Sequence, residues 1–220
     1  MTFHFYHFLF ITSLFSLNFA NAQIFVDDVE RVGIVTIDYC VDNSGKRYDI
    51  NINQEKSTYK DEGWQLGCLD HFKKGYLAYP QKMINECWQS VYYFVNSKYK
   101  THELPKEDYV KCKAFHRGKF KYESPAFSDS VIKRRKKRQI ETGENISGGR
   151  QVYKINWISD HEYTLDTRRM SLIKDKHKVG NFINVEIIEV INDNTYLYKA
   201  FIKDKENDDI VFGLITKISN

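Results

Sequence analysis

The sequence predicts an α+β protein, in which a small two-layer β-β-α-β module precedes an all-β meander barrel or sandwich. Three observations support this class: two runs with a period of two around a turn, one segment with a helical period, and evenly spaced strand patterns through the second half. The 220 residues are divided accordingly into a leader at 1–22, a small α+β first module at 23–105 and a barrel-like second module at 110–220.

The leader interpretation depends on composition. Residues 1–22 contain no Asp, Glu, Lys or Arg and end in Ala20-Asn21-Ala22. An apolar run that ends in a small-x-small triplet is typical of a secretory signal peptide, cut here after Ala22. The alternative is an N-terminal membrane anchor, because a span needs about 20 apolar residues. We therefore expect an exported protein, periplasmic or extracellular.

The remaining composition is that of a strand-rich globular protein. Aromatic residues make up 15% of the chain and only 3 residues are Pro, a composition that supplies a core and favours strands. The net charge of +4 is a mild excess, and by itself it does not indicate a nucleic-acid partner.

The first module begins with a predicted β-hairpin. Val35, Ile37, Tyr39 and Val41 alternate along one run, turn residues follow at 42–45, and a second alternating run ends near Ile52. The first four side chains should share one buried face.

A helix and a third strand complete the module. Trp64, Cys68 and Phe72 recur every four residues, which predicts a helix over 59–74 with Ser57 and Thr58 as candidate caps. A third strand is predicted over 88–95.

This part of the chain resembles a known domain. Gly33-Ile34-Val35-Thr36-Ile37, then Val41-Asp42-x-x-Gly45, a helix and a strand are similar to the C-terminal domain of TonB-type energy transducers. The resemblance implies a sheet edge that contacts a protein partner. Members of that family have a long Pro-rich spacer, whereas only ten residues separate Ala22 from Gly33, so the resemblance implies an adaptor more than an energy transducer.

The second module is predicted to contain eight strands and no helix. Short turns separate evenly spaced patterns, which favours a closed meander or a sandwich. The predicted strands cover residues 119–122, 131–135, 138–141, 151–158, 162–168, 181–190, 195–202 and 210–218.

This second half resembles a family of small exported bacterial proteins without a settled activity, some of which are labelled topoisomerase IV. The matching residues are Cys112-x-x-Phe115-x-x-Gly118-x-Phe120, Arg138-Gln139-Ile140-Glu141, Trp157-x-Ser159-Asp160-x-Glu162-Tyr163-x-Leu165 and Gly180-x-x-Ile183-Asn184-Val185. Nothing in these residues supports a topoisomerase. In the family, Cys is typical where this chain has His161, so a cross-link from Cys112 to that position cannot form.

Four cysteines allow three pairings. Two disulfides are the expected state in an oxidising compartment, and the pattern favours Cys68–Cys87 and Cys40–Cys112. A metal site of Cys112, His116 and His161 is the alternative, although zinc usually has four ligands at a recognisable spacing, which this chain lacks. We expect no metal and no cofactor.

Six consecutive cations form the most basic segment. A charged hairpin tip is one interpretation and contact with anionic lipid or polysaccharide is another, and the two are compatible; nucleic acid is disfavoured. The run is Lys133, Arg134, Arg135, Lys136, Lys137 and Arg138.

No motif indicates catalysis. The chain has neither Gly-x-Ser-x-Gly nor a phosphate-binding glycine loop, so we expect no catalytic residues. The interpretation is a non-catalytic exported binding or adaptor protein of the bacterial envelope with a protein partner. A TonB-related component of outer-membrane transport and an unrecognised enzyme stay open as alternatives.

Overall fold

The computed structural model describes residues 23–75, 84–143, 149–171, 179–202 and 210–219. It confirms the predicted fold class: a small mixed sheet with one α-helix is followed by a closed, eight-stranded antiparallel barrel. The predicted leader, 1–22, lies outside the described residues. Among those residues, no helix has the length and apolar character that a bilayer crossing requires.

The first unit contains β1 (Gln23–Val26), β2 (Val32–Val41), β3 (Arg47–Ile52), α1 (Glu62–Lys74) and β4 (Glu86–Asn96). The barrel contains β5 (Gly118–Tyr122), β6 (Val131–Arg135), β7 (Arg138–Gly143), β8 (Gly149–Trp157), β9 (Glu162–Met170), β10 (Phe182–Val190), β11 (Thr195–Ile202) and β12 (Val211–Ser219). Short 3₁₀ segments occupy Ser97–Lys100, Lys106–Phe115 and Pro125–Phe127.

The four-stranded sheet has the order β1-β4-β2-β3. The predicted hairpin is β2 and β3, and β4 pairs antiparallel with β2. β1 was not predicted; it pairs parallel with β4. Its four residues are too few for alternation to distinguish a strand from an extended linker.

The helix begins later than predicted, because Asp61 is its cap. The Asp61 side chain accepts a hydrogen bond from the Trp64 backbone N–H at 2.8 Å. The predicted caps have another role: Thr58 Oγ1 and Ser57 Oγ accept backbone N–H groups of β2, each at 2.9 Å. The two hydroxyls therefore accept the β2 N–H groups that would otherwise bond the backbone of a neighbouring strand.

The sheet packs on both faces. The predicted face of β2 lies against Cys68 and Phe72 of α1. The opposite face packs on the outer wall of the barrel, in a core formed by Ile34, Tyr93, Val95, Tyr99, Ala126, Ile188, Leu197 and Phe212. The sheet and the barrel therefore share a hydrophobic core, which the sequence patterns did not indicate.

An ion pair joins the same two units. The Arg31 guanidinium donates to both oxygens of Glu189, at 3.0 and 3.1 Å, and the Tyr99 hydroxyl also donates to this carboxylate. Bidentate geometry of this kind gives orientation as well as energy. The Arg31–Glu189 ion pair therefore fixes the position of the sheet relative to β10.

All eight predicted barrel strands are present, and β12 pairs with β5 to close the barrel. The alternative of a sandwich is therefore wrong. One end is closed by the 3₁₀ segment Lys106–Phe115, which we call the plug. Its Cys112 and Phe115 are buried against Phe120, Ile187 and Tyr196 of the barrel interior.

Both predicted disulfide pairings are wrong. The bond joins Cys40 to Cys87, while Cys68 and Cys112 are buried free thiols. Cys40 and Cys87 lie directly opposite each other on β2 and β4, with Cα atoms 4.0 Å apart. Cys68 packs in the core between α1 and the sheet, and Cys112 belongs to the plug. The register between β2 and β4 decides which cysteines pair, and the spacing of the cysteines along the chain does not predict that register.

Candidate functional site

The barrel interior contains a buried cation. Arg134 is 2% exposed, because alternation along β6 directs it to the same side as Ile132. Its Nε donates to Gln139 Oε1 at 2.8 Å, and one Nη donates to the backbone oxygen of Phe115 at 2.9 Å. Its inclusion among the surface cations was therefore wrong.

Aromatic groups surround the same guanidinium. The second Nη donates to the hydroxyls of Tyr163 and Tyr196, at 3.0 and 3.2 Å. The Arg134 Cζ atom also lies 4.8 Å from the ring centres of Phe120 and Tyr163. These hydrogen bonds and ring faces compensate the loss of water around a buried charge.

A carboxyl group completes this network. Gln139 accepts from Arg134 and donates to Glu141 Oε1 at 2.6 Å, and the Tyr122 hydroxyl donates to Glu141 Oε2 at 3.3 Å. Gln139 thus connects a buried cation to a buried acid across one side of the barrel. The two opposite charges lie in one hydrogen-bonded system, so the interior is electrically balanced when Glu141 is ionised.

Burial controls the protonation of this network. It raises the pKa of Glu141 above its ordinary value, although Gln139, Tyr122 and Arg134 act in the opposite direction. Burial also raises the pKa values of Tyr122, Tyr163 and Tyr198 well above the ordinary value. These tyrosines are therefore neutral hydroxyls at physiological pH, able both to donate and to accept.

A cavity of about 300 Å³ adjoins the network. Gln139 and Tyr163 bond Arg134, which bonds the plug, so they lie nearer the plug, with Glu141 next to Gln139. Ile183 and Ile202 pair at the other end of β10 and β11 and line the opposite part of the cavity. Its lining residues are Tyr122, Gln139, Glu141, Tyr153, Tyr163, Leu165, Ile183, Val185, Tyr198, Ala200, Phe201, Ile202, Val211 and Ile215. The cavity is polar at one end and apolar along its length.

One glycine shapes this wall. Gly213 is the cross-strand partner of Tyr198, and a Cβ atom at Gly213 would lie 2.7 Å from the Tyr198 hydroxyl. The tyrosine ring lies in the space that the missing side chain leaves, and from there Tyr198 lines the cavity.

The lining is composed of hydrogen-bonding and apolar side chains. Among the described residues that line the cavity there is no Ser, Cys, His or Lys, and so no nucleophile–base pair of the usual kind. Carboxyl, amide and phenol groups converge at the polar end, which suits the recognition of a ligand by hydrogen bonds.

The three proposed metal ligands lie near the plug but are engaged separately. His116 stacks on Trp157 with ring centres 3.6 Å apart, and its Nε2 lies 2.9 Å from the Asp160 backbone oxygen. His161 stacks on Tyr109 at 3.9 Å. In the described part of the chain, no group of three or more His, Cys, Asp or Glu residues could hold a metal ion.

The basic run is the β6–β7 hairpin, as predicted. Its turn is Lys136-Lys137, and Lys133, Arg135 and Arg138 are exposed together with these two lysines. Sequence reasoning missed the interior network, although a signal was present. The period-two alternation that buries Ile132 on β6 and Ile155 on β8 also buries Arg134.

Comparison of the chain with protein-family models, with curated proteins and with solved structures finds no match. The class of the protein is thus defined by its own fold and cavity: an eight-stranded antiparallel meander barrel with a mixed sheet packed on its outer wall.

The raised pKa of Glu141 predicts a pH effect on stability. Its folded-state pKa lies above the unfolded value of about 4.3, so the folded protein holds this proton more tightly. That contribution is complete below the unfolded pKa and is lost as the pH rises through the folded pKa. We expect the free energy of unfolding of Glu141→Gln, relative to the unmodified protein, to increase between pH 4 and pH 7.

Urea unfolding at several pH values measures this difference. Glu162→Gln is the control, because Glu162 lies on the outer surface of β9 and is half-buried. A difference for Glu141→Gln that is flat or falls with pH would contradict the inferred burial effect.

Proposed function

We propose that this protein is a non-catalytic, exported binding protein whose barrel encloses a small ligand. The observation that carries the proposal is the cavity of about 300 Å³ between the polar network and the apolar barrel wall. Eight-stranded barrels have an interior wide enough to hold one small ligand, and ligand pockets begin at about 300 Å³.

The lining suggests the chemical class of the ligand. The Arg134 and Glu141 charges already balance each other through Gln139, so a charged ligand would add an uncompensated charge at a buried site. We therefore propose a neutral ligand with an apolar body and a hydrogen-bond donor, such as a hydroxyl, that reaches Glu141. The aliphatic side chains of Ile183, Ala200 and Ile202 would contact its body.

Export is the other part of the proposal. The apolar leader supports it, and a disulfide between Cys40 and Cys87 is compatible with an oxidising compartment. A partner in the bacterial envelope remains part of the same hypothesis.

The test is to fill the cavity. The probe is a solvatochromic naphthalene dye that fluoresces in apolar surroundings, titrated into the purified protein. Ala200→Trp should weaken dye binding by more than tenfold, because Ala200 lines the cavity. Thr142→Trp places the same side chain at an exposed position of β7 and should leave dye binding unchanged.

Native mass spectrometry of the purified protein would then identify a retained ligand. Equal dye binding by Ala200→Trp and Thr142→Trp would contradict the proposal, provided that circular dichroism shows both variants folded.

A further inference from the structure

One side of the barrel wall is strongly basic. The outward-facing positions of β5, β6, β7 and β8, with the β6–β7 turn, form a surface that we call the cationic wall. Its basic residues, all of which are exposed, are Lys119, Lys121, Lys133, Arg135, Lys136, Lys137, Arg138, Arg150 and Lys154. The wall thus extends the basic run over four neighbouring strands.

Strand register places like charges directly opposite each other. Lys119 pairs with Lys133 across β5 and β6, Arg135 with Arg138 across β6 and β7, and Arg138 in turn with Lys154 across β7 and β8. Directly opposed like charges destabilise a sheet. The electrostatic repulsion between these side chains is unfavourable, and an anionic partner would reduce it.

The four strands of the wall carry few compensating carboxylates, although Asp166 of the adjoining β9 lies opposite Lys154 and also pairs with Arg168. Within the described residues, no Asp or Glu occupies an outward-facing position of these four strands, since Glu141 points inward. The ion pair that the structure gives to the wall is Lys121–Glu123, at 3.6 Å. The net charge of the chain is only +4, so the positive charge is concentrated here and is not a property of the whole surface.

The wall lies on the free side of the barrel. The four-stranded sheet covers the outside of β10, β11 and β12 through Ile188, Leu197 and Phe212. In the barrel order, β7 lies opposite β11. A large partner can therefore approach the cationic wall without displacing the sheet.

We propose that the cationic wall binds the surface of an anionic lipid bilayer. The wall is the convex outside of a barrel, which suits a broad layer of phosphates better than a single strand that needs a groove. Single-stranded nucleic acid usually also requires aromatic platforms, and the outward-facing positions of these strands hold none; Val131, Ile140, Thr142, Val152 and Asn156 separate the cations.

The geometry also sets an orientation. The Lys136-Lys137 turn lies at the plugged end of the barrel, because the neighbouring Arg134 bonds the plug residue Phe115. The cavity extends toward the other end. Bound through the cationic wall, the barrel lies with its side against the lipid headgroups, from the Lys136-Lys137 turn to Arg150 at the opposite end of the wall. This inference does not depend on the proposed ligand.

Vesicle co-sedimentation tests the proposal. The purified protein should bind vesicles that contain phosphatidylglycerol, should not bind vesicles of phosphatidylcholine alone, and should dissociate as salt is raised. Each Lys or Arg near an anionic surface contributes about 1 kcal/mol. Lys136→Gln/Lys137→Gln should therefore weaken binding by about 30-fold.

The matched control removes the same charge elsewhere. Lys46→Gln/Lys73→Gln changes two exposed lysines of the first unit and should leave vesicle binding unchanged. Equal loss in both double variants, equal binding to both vesicle types, or no vesicle binding would each overturn the proposal. Retention on a DNA or polyphosphate column without vesicle binding would also overturn it, and would identify a soluble polyanion instead.

Discussion

Arg134→Ala should destabilise the protein by about 3–5 kcal/mol, the usual cost of removing one member of a buried charge network. The substitution leaves the Phe115 backbone oxygen, Gln139 Oε1 and two tyrosine hydroxyls without their donor. Glu141 also loses the cation that balances its charge. Denaturant unfolding, followed by far-ultraviolet circular dichroism, measures the loss.

Arg135→Ala is the control for this prediction, because it removes the same side chain one residue along β6. Arg135 is exposed on the outer wall, so its loss should change stability by about 0.5 kcal/mol or less. If Arg134→Ala does not fold, Arg134→Lys is the second variant. It keeps the positive charge but lacks the planar guanidinium with its five N–H donors, and should show an intermediate loss of stability. Similar stabilities of the Arg134 and Arg135 variants would show that Arg134 is not buried.

Removing the Cys40–Cys87 disulfide should have the second large effect. The bond closes a loop with a sequence separation of 47 residues, for which loop-closure entropy gives about 4 kcal/mol. Cys40→Ser/Cys87→Ser should therefore lower the free energy of unfolding by that order. Reductant should produce a similar loss in the unmodified protein and no further loss in the double variant.

Peptide mapping without reductant tests the pairing itself. It should recover Cys40 linked to Cys87, with Cys68 and Cys112 as free thiols. Burial raises the pKa of Cys68 to about 11 and that of Cys112 to about 12, so iodoacetamide should modify neither until denaturant is added. A peptide linking Cys68 to Cys87 would contradict the described register.

The strands other than β1 could be predicted because each follows from a local pattern. In β6 and β11 the predicted and observed bounds coincide, since alternation and turn residues define both ends. The helix was predicted from Cys68 and Phe72, which pack on the sheet, but its cap was misassigned. Ser57, Thr58 and Asp61 are all suitable caps, and only the neighbouring β2 backbone distinguishes them.

The interior of the barrel could be predicted only in part. Alternation from Ile132 indicates which way Arg134 points, yet the basic run suggested solvent because charged side chains are rarely buried without partners. Those partners come from the plug, β7, β9 and β11. Phe115, Tyr163 and Tyr196 are far from Arg134 along the chain, so no local pattern identifies them as its partners.

The chain alone therefore determined the fold class, the order of the strands after β1 and the hairpin that carries the basic run, because period-two alternation and turn chemistry are local. Tertiary structure decided the closure of the barrel, the Cys40–Cys87 pairing, the shared core with the sheet and the buried Arg134–Gln139–Glu141 network. Each of these depends on register between segments far apart in sequence, and a shift of one residue in register exchanges the inner and outer faces of a strand.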